Sequence, residues 1–160
     1  MIMKDFMNNE WKSECIACEI GKGNIIPPGG IIKETENFFI QQDLETPLKG
    51  FLVIVSKKHL NSIAQLTLDE VTELTNLIYK SRLALNEISD INEVVIIQEE
   101  RSNHFHVWLF PRHNWMNESF ENSLTDIRKI MQYVNLNMKN EKNVKEVLST
   151  ADFLRNLMQS

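Results

Sequence analysis

The run Asn103-His104-Phe105-His106-Val107-Trp108-Leu109-Phe110 suits one backbone far better than any other. Its aromatic and β-branched residues favour an extended chain, whose side chains alternate between two faces. His104, His106 and Trp108 then share one face, and Phe105, Val107 and Leu109 point into an apolar core. The strand is predicted over His104–Phe110, with Pro111 stopping it. Two of the chain's four histidines therefore stand in a row, roughly 7 Å apart by strand geometry.

Phe51-Leu52-Val53-Ile54-Val55 is an apolar run of strand length, predicted as a buried strand. Shorter strands are predicted at Ile31–Lys33, Asn37–Gln41 and Val94–Ile97. A breaker cluster, Ile25 to Gly30, precedes the first of these, and Asp43–Gly50 reads as a loop. A helix is expected to start at Thr67, where Thr67-x-x-Glu70 has the form of a capping box. Val71, Leu74, Leu77, Ile78, Ser81 and Leu85 continue it as an i, i+3, i+4 stripe towards Ile88. Two more amphipathic helices follow, one on Ile127, Ile130, Met131 and Val134, the other on Val144, Val147, Leu148, Ala151 and Leu154. This order predicts an α+β fold: an antiparallel sheet with helices on one side. Regular βαβ alternation and a Gly-rich phosphate loop are both missing from the sequence. The 160 residues suit a single domain, with a core over about 15–112 and a C-terminal helical extension over about 118–160.

Charge narrows the partners. With 17 basic against 22 acidic residues the net charge is −5, whereas a dedicated nucleic-acid binder normally carries a basic stripe. A small phosphate ligand stays open, because a few backbone N–H groups can hold one. The first fourteen residues mix charges and lack an apolar segment, unlike a signal peptide. No run approaches the roughly 18 apolar residues of a membrane span, so the expected compartment is the cytoplasm, without membrane association. The two cysteines both lie in Cys15-Ile16-Ala17-Cys18. In such a chain the pair reads as metal or redox chemistry. A thioredoxin-like pair belongs in a βαβ setting, which this sequence lacks.

A CxxC near the start, an apolar strand ending in Lys57-Lys58-His59, a helix, and a final His-φ-His-φ strand (φ hydrophobic) occur here in that order. In this the chain resembles the histidine-triad, or HIT, proteins. The likeness runs from about Cys15 to Arg112 and leaves out the two C-terminal helices. The family's hallmark is His-φ-His-φ-His-φ-φ, and this chain carries Trp108 at the third histidine. It also has Gly50 where many members have a histidine before the apolar strand.

The resemblance implies a HIT-like fold and a reaction. His106, the middle histidine, would attack the α-phosphorus of a nucleotide and form a nucleotidyl-histidine that water resolves. The carbonyl of His104 would orient its ring. Phosphate donors would come from the loop before the strand, here Gln98 to Asn103, with Arg101, Ser102 and Asn103 as replacements for the family's glycines; Glu99 and Glu100 would repel a phosphate if turned inward. Trp108 cannot serve as an ionisable imidazole, but it could stack on a base. Asp43 stands where the family often binds ribose hydroxyls, and it is equally well placed to form a turn. Cys15, Cys18, His59 and His104 would bind zinc, a structural ion because four protein ligands leave no open position.

The implied partners are a nucleoside phosphate such as AMP, a dinucleoside polyphosphate or a phosphoramidate, and a second copy of the chain in a homodimer. Two functions fit: a nucleotide hydrolase or transferase, and a zinc-stabilised nucleotide-binding module with weakened catalysis. A structural interaction protein using the C-terminal helices is a third.

Overall fold

The apolar runs become the centre of a five-stranded sheet in the computed structural model, which describes residues 1–159. In chain order the elements are β1 (Ile2–Lys4), β2 (Glu10–Lys12), α1 (Ile16–Gly21), β3 (Lys33–Glu34), β4 (Phe38–Gln42) and β5 (Leu52–Ser56). Then come α2 (Leu68–Leu85), β6 (Ile91–Gln98), β7 (His106–His113), α3 (Ile127–Asn137) and α4 (Glu141–Leu157). The main sheet has the order β3-β4-β5-β7-β6, and all its pairings are antiparallel. This is the α+β architecture the sequence predicts.

The sheet is covered on both faces, not on one. Phe38, Ile40, Leu52, Ile54, Phe105, Val107 and Leu109 pack against Leu74, Leu77 and Leu85 of α2 and Ala151 and Leu154 of α4. On the other face Phe39, Val53, Val55 and Phe110 meet Ile16 and Ile20 of α1 and Ile130 and Val134 of α3. The reason was in the sequence: β4 opens on Phe38-Phe39-Ile40 and β5 on Leu52-Val53-Ile54-Val55, apolar stretches without alternation, and every residue of both strands is buried. A strand wet on one face would alternate.

Pro111 does not end β7. The strand runs on to His113, and Pro111 pairs with Val94 of β6. β5 pairs only with the stretch from His106 to Leu109. Beyond that point β7 has a single hydrogen-bonding neighbour, so a residue without an N–H leaves no β5 carbonyl unanswered. At the same end His113 is buried, its ring between Asp90 Oδ2 at 3.1 Å and the Lys49 carbonyl at 2.8 Å. The fourth histidine is thus a core hydrogen-bonding residue.

The capping box at Thr67 is half formed. The Thr67 hydroxyl accepts the Glu70 N–H at 3.2 Å, while the Glu70 carboxylate turns to Lys58 Nζ at 2.6 Å. Three elements escape the sequence reading. α1 begins at the CxxC itself, and β1 and β2 form a hairpin ahead of it. Asp5 organises that hairpin: its carboxylate accepts from the N–H groups of Met7 and Asn9, the Asn9 amide and the Trp11 indole.

Gly50 has φ +79°, and a Cβ there would lie 2.8 Å from Ile91 Cδ1. It faces the core beside Leu85 and Ile88, so glycine at this position is a backbone requirement of the turn into β5. Gly50→Ala is expected to lower the unfolding free energy by about 1–3 kcal/mol, because an L-residue is strained at positive φ and the methyl is crowded. Urea denaturation measures this, and an unchanged midpoint would contradict it.

Candidate active site and metal centre

Strand register builds the site. On β7, His106 lies opposite Val55 and Trp108 opposite Val53. On β4, Phe39 and Gln41 lie opposite Val55 and Val53 in turn. Gln41, Val53, Val55, His106 and Trp108 line a cleft of about 340 Å³, together with Asp43, Ser102 and Asn103.

His106 is aimed by its own strand. Its Nδ1–H donates to the His104 carbonyl at 3.0 Å, an acceptor that cannot be reversed, so Nε2 carries the lone pair. The Ser102 hydroxyl donates to the same carbonyl at 2.7 Å and lies 3.3 Å from His106 Nδ1. Ser102 therefore supports the orientation of the ring. The ring of Trp108 is centred 6.0 Å from that of His106, tilted by 40°. Phe51 packs edge-on against Trp108 at 5.2 Å and fixes its plane.

Asp43 forms the turn, and it does so at the border of the cleft. Its Oδ2 accepts the N–H groups of Thr46 at 2.9 Å and Glu45 at 3.2 Å, an Asx turn, and the residue lines the cleft. Burial pushes its carboxyl up to about 6, and the Glu45 charge adds to the rise against the pull of the two N–H donors. Gln98 stands apart: it ends β6, its amide donates to the Glu99 carbonyl, and it is absent from the lining of the cleft. Arg101 is exposed and also outside that lining.

Gln41 went unnoticed in the sequence reading. It is 5% exposed, and its Oε1 has no hydrogen-bond partner, although it lines the cleft. A buried amide oxygen left unpaired is costly, by about 1–3 kcal/mol, unless a ligand or water answers it. The available signal was the polar pair Gln41-Gln42 interrupting an apolar strand.

Cys15, Cys18, His59 and His104 converge, with one donor atom from each within 4.8 Å of all the others. Cys15 Sγ lies 3.3 Å and Cys18 Sγ 3.5 Å from His104 Nδ1. His59 Nδ1 lies 3.2 Å from Cys18 Sγ and 3.3 Å from His104 Nδ1. Metal bonds of 2.0–2.3 Å at tetrahedral angles put ligand atoms about 3.3–3.8 Å apart, close to these four of the six donor separations. The buried His104 ring donates from Nε2 to the Ser56 carbonyl at 2.6 Å, which turns the Nδ1 lone pair towards the sulfurs. Without a cation, burial and the neighbouring Cys15 push the Cys18 thiol up to about 11. The donor set is that of a metal centre.

In the folded protein Asp43 holds its proton more tightly than an unfolded carboxyl with a value near 3.8. Its contribution to stability is therefore complete below about pH 4 and is lost as pH rises through about 6. Wild type is expected to lose stability relative to Asp43→Asn across that window. Paired urea titrations at several pH values check this, and a difference that is flat with pH would contradict it.

No protein-family model matches the chain, and no curated protein matches it. Solved structures do. A Zn-bound histidine triad family protein from Mycobacterium smegmatis superposes with a TM-score of 0.57 at 19% identity, over 90% of this chain and 97% of that one. A hypothetical histidine triad nucleotide-binding protein from Sulfolobus tokodaii gives 0.61 at 15%, over 89% and 93%. A HIT family protein from Bacillus anthracis gives 0.55 at 20%, over 76% and 97%. Identity this low carries the architecture and not the chemistry, but three independent superpositions agree on what that architecture is: the chain has the histidine-triad fold.

Proposed function

We propose that the chain is a nucleotidyl hydrolase or transferase, acting on the α-phosphate of a nucleoside phosphate through His106. The observation that carries this is the hydrogen bond from His106 Nδ1 to the His104 carbonyl, which leaves Nε2 as a nucleophile in the cleft. The Nε2 lone pair forms a bond to phosphorus, and the bond to the leaving group breaks with its electron pair. Water then attacks phosphorus, the His106–phosphorus bond breaks, and the water gives up a proton. Ser102 and Asn103 border the position of the phosphate, where donors stabilise the charge that develops. The Asp43 carboxylate takes the ribose hydroxyls, and Gln41 Oε1 offers an acceptor to the nucleoside. The S. tokodaii relative of this fold is described as nucleotide-binding, which supports the same reading.

The four-donor cluster is read as a structural zinc site; the M. smegmatis relative is described as Zn-bound. Zinc there would stabilise two adjacent thiolates and tie the start of α1 to the ends of β5 and β7. The homodimer belongs to the same reading, with edge strand β6 exposing Ile96. The alternative function, a nucleotide-binding module without turnover, is favoured by Trp108 alone.

Protein purified without added metal is expected to contain about one zinc per chain. Cys18→Ser should lose it and melt about 10 °C lower or more, at about 2–4 °C per kcal/mol for a chain of this size. Metal-free wild type with reduced thiols would overturn the zinc reading. His106→Asn should abolish release of AMP from diadenosine tetraphosphate while AMP affinity stays within about tenfold, because attack is covalent and binding is spread over the cleft. Wild type that binds AMP but turns over no nucleotide ester or amide would hand the case to the binding module.

A further inference from the structure

His106 and Trp108 belong to two clefts. Besides the one already described, a second of about 180 Å³ opens on their other side, lined also by Ile97, Glu99, Ile127 and Arg128. Among these six residues Arg128 carries the fixed positive charge and Glu99 the negative one. The Arg128 guanidinium lies over the Trp108 ring, 5.5 Å from its centroid. Trp108 in turn is held by Phe51 and by its place opposite Val53 and Ile97. A cation from the C-terminal helices is thus stacked on the residue that stands at the third histidine position.

Arg128 lies in the first turn of α3, at the end of a helix where the dipole disfavours a cation. Asp126, the residue before that turn, provides no side-chain cap. The placement works against the helix, and such local conflicts mark positions kept for another purpose.

The chemistry of Trp108 says which purpose. An indole N–H is a donor without acidity near neutral pH, so it cannot protonate a leaving group. An amine leaving group needs that proton. A phosphate leaving group does not: it departs as an oxyanion with the electron pair of the broken P–O bond, and what it needs is a positive charge. A guanidinium gives that charge and two N–H donors in a fixed fork, and it gives no proton.

Resting on the His106 reading above, we propose that Arg128, stacked on Trp108, binds the anionic leaving group and makes this a site for nucleoside polyphosphates in preference to phosphoramidates. The nucleoside lies in the cleft lined by Gln41 and Asp43, the α-phosphate meets His106, and the remaining phosphates run over Trp108 to Arg128. Glu99, the negative charge of the same lining, disfavours phosphates beside it.

The test compares kcat/KM for diadenosine tetraphosphate with that for adenosine 5′-phosphoramidate, in wild type, Arg128→Gln and Arg128→Lys. The ratio of the first to the second should fall about tenfold or more in Arg128→Gln, the effect of losing a charged hydrogen bond, and recover in part in Arg128→Lys. A general structural defect would lower both values together and leave the ratio unchanged, which would overturn the proposal. Calorimetric titration with a non-hydrolysable diadenosine tetraphosphate analogue and with AMP is run alongside. Arg128→Gln should weaken the analogue about tenfold more than AMP, and equal affinities in the two proteins would overturn the proposal. If wild type turns over neither substrate, the hydrolase reading fails on its own, and these affinities still decide Arg128.

Discussion

The site hangs on His104. Its ring Nε2–H is fixed on the Ser56 carbonyl, its Nδ1 faces two sulfurs and His59, and its backbone carbonyl receives both Ser102 and His106. One residue thus couples the donor cluster to the orientation of the His106 ring. The coupling is rigid because His104 is buried and Phe105 beside it is locked on both backbone groups, its N–H on the Leu60 carbonyl and its own carbonyl on the Ser56 N–H. Rotating the His104 side chain would disturb the cluster and unseat the Ser56 bond together.

Much of this was legible in the residues. The alternation from His104 to Leu109 assigned each side chain to its face, and the run at Phe51–Val55 became a central strand. The spacing of Thr67 and Glu70 located the start of α2. Of the four cluster donors, Cys15 and Cys18 stood out by their spacing, whereas His59 and His104 were joined to them only through a resemblance. What stayed hidden was set by tertiary contact. α1 is six residues long and lacks a side-chain cap, so nothing local marks it. β1 and β2 have three residues each and depend on the Asp5 carboxylate, which only a folded turn can surround. Pro111 misled because a proline rule for strands holds only where both neighbours need an N–H. Gln98 was grouped with the loop it borders, yet it ends a strand and bonds along its own backbone.

The face that carries His106 gives Trp108 an ordered setting: Phe51 at its edge, His106 beside it, and Arg128 above it. These neighbours come from the turn into β5, from β7 and from α3, parts far apart in the chain. The indole is thus held by tertiary contacts on three sides, and its plane is set before any ligand arrives.

The cluster also divides the chain topologically. Cys18 and His59 are 41 residues apart, and His59 and His104 are 45 apart. Whatever holds these donors together closes two loops of nearly equal length, one containing β3 to β5 and the other α2 and β6. Each closure removes about 3 kcal/mol of freedom from an unfolded chain. His106 and the floor of the larger cleft beside it lie within these loops or directly beside them. Arg128 does not: α3 and α4 follow the last closure, and the segment leading to α3 is fastened by the buried Arg112 side chain to Asn117, Phe120 and Ser123. The two walls around His106 thus have different origins of order, one set by the donor cluster and one by packing of Ile130 and Val134 into the core.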